Sequence, residues 1–248
     1  MTNMPSLKTL ARLTRISALP TLWSNVLTAF FLVTEESLSL RLVALLFACS
    51  ALYLAGMVFN DVCDADDDMR ERPDRPIPLD EISRTAARNC GIGLWALAII
   101  GQAVCFAVIG AGTILLTMAF AFAVILNMLV LCYNFTHKRM QKRAPLLMAG
   151  CRLFNILFVF SIAGNSIVPS LAFLAYCVSV TAYIYYVTKL SQREAEFPKI
   201  QKWVGLLLQG LILFDALWCL ASVGVIPAVI VLTLYPVTFL LRRYASLT

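Results

Sequence analysis

Residues 60–78 read NDVCDADDDMRERPDRPIP. They place five aspartates within eight positions, Asp61 to Asp68, ahead of Arg70, Arg72 and Arg75. The segment 40–60 before them carries a single charge, Arg41. The whole chain of 248 residues is 60% hydrophobic and only 14% charged, where a soluble domain would carry roughly a quarter charged residues. Its mean hydropathy is +0.83. Apolar runs long enough for a ~30 Å hydrocarbon layer recur at 17–34, 40–60, 89–110, 112–133, 145–163, 166–188, 203–222 and 224–241. They are continuous rather than alternating, which excludes a β-barrel. The expectation is an all-α, polytopic transmembrane helix bundle of about eight spans, forming one domain over 1–248.

Lys8, Arg12 and Arg15 precede the first apolar run, as in a secretion signal. That run exceeds the usual ~7–15-residue signal core and shows no small-residue cleavage site, so a retained helix is expected. The eight cysteines lie mostly within predicted spans and form no C-x-x-C pair. They read as small core-filling residues, with no disulfide framework or zinc site.

Threading the spans assigns each connection to one of two sides. Eighteen of the 20 lysines and arginines fall on the same side, Arg41 alone on the other, and Arg152 inside a span. Positive loops stay cytoplasmic, so both termini and the aspartate-rich stretch are expected there. The net charge of +6 is then explained by topology and anionic lipid, and implies no nucleic-acid partner. Cations beside lipid do not explain the acids. Eleven of the 14 Asp and Glu residues share that side, and seven lie between Asp61 and Asp74.

Asn60, Asp64 and Asp68 are spaced i, i+4, i+8, while Asp61, Asp64 and Asp68 are spaced i, i+3, i+7. If the second helix runs on through the stretch, these side chains share one face, where like charges repel. A hard cation relieves that repulsion, and Mg²⁺ takes one or two carboxylates together with phosphate oxygens. Arg72 and Arg75 supply the planar fork suited to phosphate. Three other readings compete. A solvated charged loop would not phase its acids from a helix end. A calcium loop would need Gly at Met69 and Glu at Arg75. An ion-coupled transporter would place its acids near the bilayer midplane.

The stretch resembles the first aspartate-rich motif of the UbiA superfamily of intramembrane prenyltransferases, N-D-x-x-D-x-x-x-D followed by an R-P-x-x-P-type segment. Asn60, Asp61, Asp64 and Asp68 match position by position, and Ala65 stands where many members carry a basic residue. The resemblance extends to Arg15 and Pro20 entering the first span, Asn25 within it, and Tyr133 followed by Lys138 and Arg139. It implies that Asp61, Asp64 and Asp68 are catalytic Mg²⁺ ligands. It further implies a prenyl diphosphate site that includes Asn25, Asn60, Arg72, Arg75, Tyr133 and Lys138.

Members typically carry a second aspartate-rich motif, and here the corresponding stretch is YYVTKLSQREAE, residues 185–196, without aspartate. Lys189 and Arg193 are the expected diphosphate contacts there, with Glu194 holding a remaining metal; an ordinary basic loop is the alternative. The chain also shows about eight spans where the family usually has nine. Polar residues within spans, Asn127, Arg152, Asn155, Gln209 and Asp215, should face the bundle interior, with Asp215 pairing Arg152 or serving an acceptor pocket. The expected activity is Mg²⁺-assisted transfer of a prenyl group from an allylic diphosphate to a hydrophobic acceptor within the lipid membrane. The alternative is a non-catalytic carrier of a prenylated or phosphorylated lipid.

Overall fold

Ser6 opens the first helix, α1 (Leu7–Leu13), by accepting a hydrogen bond from the Thr9 amide. The chain then reverses at Arg15, held in the left-handed region at φ 48° and ψ 47°. A short 3-10 turn, Ile16–Ala18, leads into α2 (Leu19–Val33), whose Pro20 sits in the first turn, where a missing amide hydrogen costs no helical bond. Ser39 caps α3 (Leu40–Glu71), accepting from the Leu42 amide at 3.3 Å. Then follow α4 (Arg84–Val108), α5 (Thr113–Thr136), α6 (Ala144–Ala163), α7 (Leu171–Ser191), α8 (Pro198–Ser222), α9 (Val225–Leu232) and α10 (Leu234–Arg242). The computed structural model describes residues 5–36, 39–108, 112–136, 141–193 and 198–242, and among these every regular element is a helix.

Seven of the helices are long and apolar enough to cross a bilayer, which marks an integral membrane protein. The eighth expected span, 224–241, is interrupted at Thr233. Pro236 explains the break: it offers no amide to the Leu232 carbonyl and its ring crowds that same oxygen. The other expected spans stand with shifted ends. The largest shift is in α3, which runs through the aspartate-rich stretch. At ~1.5 Å per residue its 32 residues reach roughly 48 Å, so the last turns, carrying Asp61 to Asp68, outrun a ~30 Å hydrocarbon layer.

The bundle is organised around α2. It packs on α3, α6, α7, α8, α9 and α10, and twelve of its fifteen residues are buried. α4 and α5 lie outside, with Ile99, Ile100, Phe120 and Met128 exposed where lipid would cover them. Two devices hold this outer layer. Asn127 accepts from Trp95 Nε1 at 2.8 Å and donates to Gln102 Oε1 at 3.0 Å, a fully partnered polar joint between α4 and α5. Gly101 lets α4 lie against α3, since a Cβ there would stand 2.9 Å from the Ala48 Cα.

That contact gives a prediction. Gly101→Val drives two methyl groups into the α3 backbone, which has no flexible side chain to yield, so it should cost about 1–3 kcal/mol. A lowered midpoint of thermal unfolding in detergent is the expected result. An unchanged midpoint would mean that α4 is not seated this closely.

Candidate functional site

At the end of the bundle where α3 overruns, a cavity of about 310 Å³ opens between α2, α3, α5, α6, α7 and α8. Arg15, Arg72, Arg75 and Arg152 reach its wall, together with Asn60, Asp64, Tyr53, Tyr133, Thr188 and Ser191. Four guanidinium groups and one carboxylate line it, and guanidinium groups are suited to the oxygens of an anion.

The aspartates divide their work. Asn60 Nδ2 donates to Asp64 Oδ2 at 2.9 Å, and this pair lines the cavity. Asp61 and Asp68 are turned behind the wall and are 3% and 5% exposed, which makes their charges expensive unless paired. Asp61 Oδ1 accepts from Arg15 Nη2 at 2.8 Å and from Arg75 Nη1 at 3.1 Å, and the same Arg75 nitrogen donates to Asp68 Oδ2 at 2.6 Å. Arg75 thus joins two carboxylates two turns apart, a role beyond the expected phosphate contact. Burial, with Arg15 close by, draws its pKa below the ordinary value against the opposing pull of Asp61 and Asp68.

The loop after α3 is fixed from both sides. Ile77 and Ile82 pack with Leu13, Val58, Ala65 and Ala87 in a small apolar cluster beneath it. Glu81 accepts from Arg12 Nη1 at 2.6 Å and from Thr9 Oγ1 at 3.1 Å, tying the loop to α1. Arg72 and Arg75 are therefore positioned before any ligand arrives.

Asn25 lies deeper than its expected place at the substrate. It is fully buried and bridges two charged residues. Its Oδ1 accepts from Arg152 Nη1 at 2.9 Å, and its Nδ2 donates to Asp215 Oδ2 at 2.8 Å. Tyr176 donates to Asp215 Oδ1 at 2.9 Å. Arg152 and Asp215 are thus linked through Asn25, and it is Arg152 that reaches the cavity.

On α7 the helical register places Thr188 and Ser191 at the cavity. Lys189 is exposed, with its amine 5.8 Å from the Tyr185 ring centroid, and Arg193 is exposed beyond the helix end. The structure does not bring either to the cavity wall. Lys138 and Glu194 lie outside the described residues. Sequence reasoning noted Arg15 only at the entry to the first span and did not assign it to the site, where its ion-pair partner is 46 residues away, and it missed the hydroxyls of Thr188 and Ser191.

Among the described residues no three Asp, Glu, His or Cys side chains converge to hold a metal by themselves. Asp64 with Asn60 nevertheless fits Mg²⁺, which is commonly held by one or two carboxylates and completed by phosphate oxygens and water.

Fold and site define an integral membrane protein built around a cavity lined by four arginines at one end of a helix bundle. The chain belongs to the UbiA prenyltransferase family, whose profile matches residues 17–247. Its fold is similar to that of a UbiA homolog from Archaeoglobus fulgidus solved bound to DMAPP and Mg²⁺. The TM-score is 0.60 at 17% identity, covering 95% of this chain and 87% of that one. The same protein bound to GPP and Mg²⁺ gives 0.59 at 17% identity, with the same coverage. A structure of digeranylgeranylglyceryl phosphate synthase gives 0.62 at 15% identity, covering 97% and 88%. No curated protein sequence matches the chain significantly.

The Arg152–Asn25–Asp215 chain makes a second prediction. Arg152→Met removes the cation that faces the fully buried Asp215 across Asn25 and leaves Asn25 Oδ1 without its donor, so stability should fall by about 1–3 kcal/mol. Adding Asp215→Leu should recover part of the loss, a coupling that a double-mutant cycle of unfolding midpoints measures. Additive effects would show that the two charges do not depend on each other.

Proposed function

We propose that the chain transfers a prenyl group from an allylic prenyl diphosphate to a hydrophobic acceptor within the membrane. One observation carries this reading: a cavity of four arginines and Asp64 continues directly into an apolar slot, so one ligand can have its phosphates in the first and its reacting carbon at the junction. Family membership supports it, as do fold neighbours solved with DMAPP, GPP and Mg²⁺.

Asp64 and Asn60 would hold Mg²⁺ against the diphosphate, where the ion supplies Lewis-acid polarisation of phosphate oxygens. Arg72 and Arg75 face the same oxygens, and Arg15 and Arg152 close the wall. The bond between the allylic carbon and oxygen breaks, and its electron pair leaves with the diphosphate. Guanidinium groups already fixed by Asp61, Asp68 and Asn25 stabilise that departing charge without reorganising. The acceptor's nucleophilic atom bonds to the allylic carbon and gives up a proton. Tyr53, Met57, Tyr133 and Met148 surround the junction and keep water from the cation. Thr188 donates to phosphate where the family's second motif would stand, the Ser191 hydroxyl is committed to the Thr188 carbonyl at 2.9 Å, and Lys189 and Arg193 serve the surface.

Asp64→Ala should abolish Mg²⁺-dependent binding of geranyl diphosphate to purified protein while leaving the unfolding midpoint within about 0.5 kcal/mol, because its carboxylate lines the cavity. Excess EDTA should remove the same binding from the wild type. Binding that survives both treatments would sink the reading, and binding without turnover of any acceptor would favour a lipid carrier.

We place the cavity on the cytoplasmic side, from the positive-charge asymmetry of the loops. Cys63, on the protruding end of α3 and half-buried, should react with a membrane-impermeant thiol reagent only after cells are opened. Its labelling in sealed cells would reverse the orientation.

A further inference from the structure

Asp215 on α8 is fully buried and takes no part in the cavity wall. A carboxylate is an expensive choice for such a place, because a neutral side chain would pack there without a desolvated charge. Its oxygens accept from two neutral donors, Tyr176 Oη on α7 at 2.9 Å and Asn25 Nδ2 on α2 at 2.8 Å. What a carboxylate supplies, and an amide or hydroxyl does not, is direction: ionised, it accepts and never donates. Asn25 therefore turns its nitrogen toward Asp215. The second amide hydrogen is met on the same side, with Tyr176 Oη 3.4 Å from Nδ2. The Asn25 oxygen is left to Arg152 and accepts from Nη1 at 2.9 Å. An inverted amide would set N–H against N–H at Arg152 and oxygen against oxygen at Asp215.

The Arg152 end of this chain meets the cavity. Besides its bond to Asn25, Nη1 donates to the Thr21 carbonyl at 3.2 Å, and Nη2 donates to Thr21 Oγ1 at 3.2 Å. The Thr21 hydroxyl gives its own hydrogen to the Ala18 carbonyl at 2.7 Å, leaving its oxygen to accept. A guanidinium has five N–H groups, so Nε–H and one Nη2 hydrogen stay uncommitted among the described residues. Those two are what Arg152 offers an anion in the cavity, and the three acceptors on α2 set their direction. With Asn25 inverted, one of the three restraints becomes a repulsion.

We infer that Asp215 is a positioning residue for the diphosphate: by fixing the Asn25 amide it aims Arg152 into the cavity, while touching no ligand itself. The inference rests on the prenyl-transfer reading and extends that site inward to a residue of α8.

Binding of inorganic pyrophosphate with Mg²⁺ to purified protein tests this, read by isothermal titration calorimetry in a double-mutant cycle. Asp215→Asn keeps the shape but can present a hydrogen to Asn25, so the amide is no longer held one way round. Affinity should fall by about five- to tenfold. In an Arg152→Met background, where the aimed group is already gone, Asp215→Asn should change affinity by less than about twofold. A merely structural Asp215 would lower the unfolding midpoint and show no such coupling in binding. Wild-type affinity in Asp215→Asn would overturn the inference, as would the same loss in both backgrounds. Wild-type affinity in Arg152→Met would do so too, since there would be no group to aim. Should Asp215→Asn not fold, Asn25→Asp combined with Asp215→Asn moves the carboxylate one link along the chain. Arg152 then still meets an acceptor with a donor behind it, so this pair should bind pyrophosphate closer to wild type than to Arg152→Met. Affinity equal to that of Arg152→Met would overturn the inference. Wild-type protein that binds neither pyrophosphate nor geranyl diphosphate would overturn the prenyl-transfer reading itself, and this inference with it.

Discussion

Two buried carboxylates at the end of a hydrophobic helix constrain everything around them. Asp61 and Asp68 project from α3 where the helix leaves the hydrocarbon, nearly out of reach of water. A desolvated charge of this kind is tolerable only when paired and hydrogen-bonded, and removing one partner of such a pair costs several kcal/mol. Arg75 meets both carboxylates and Arg15 meets one. To bring Arg15 there, the chain adopts a left-handed turn that a residue with a side chain adopts only at a cost. To keep Arg75 there, the loop after α3 is seated on an apolar cluster and tied to α1 through Glu81. The cavity is the space these arginines leave, so its basic wall follows from neutralising the helix end.

A second charged assembly lies deeper, where Arg152, Asn25, Asp215 and Tyr176 join α6, α2, α8 and α7. The outer assembly backs the cavity wall at the end of the bundle, whereas this one is enclosed by the helices that α2 gathers. Arg152 also stands 5.8 Å from the Tyr53 ring centroid, a cation–π arrangement on the wall that divides polar cavity from apolar slot. It is thus held by three elements at the point where a reacting carbon would sit. Fixing a charge in advance matters most in such a low-dielectric site, where a group that had to swing in would lose the advantage.

Hydropathy makes the long spans legible, because a membrane span needs about twenty apolar residues and little else does. The overrun of α3 was equally readable from the i, i+4, i+8 phasing of its polar face. The break at Thr233 was present in the sequence as Pro236, but a run of apolar residues hides a helix breaker from any hydropathy sum. Arg15 was not readable as a site residue, since its significance depends on a partner 46 positions away and on a backbone conformation set by that contact. Asn25 shows a different limit. Polarity inside a span predicts that a residue faces protein, yet says nothing about whether it touches the ligand or holds the group that does. On α7 a rotation of one residue separates Thr188 from Lys189, so the type of residue pointed to a cation while the register put a hydroxyl at the wall.

That register bears on how much metal the site can use. A second carboxylate pair would let another hard cation sit on the far side of the cavity, but among the described residues that wall is Thr188 and Ser191, which offer only neutral oxygens. Fixed side chains can supply the charge a second cation would bring, and four arginines already line the wall. A guanidinium spreads its charge over a planar fork, so each contact is weaker per oxygen than a metal bond but keeps its direction. Under the prenyl-transfer reading, the described residues supply one metal position at Asp64 and arginines elsewhere. Those arginines hold their positions because Asp61 and Asp68 hold them. Two acids of the aspartate-rich stretch thus serve the cavity by orienting its cations, and Asp64 serves it directly.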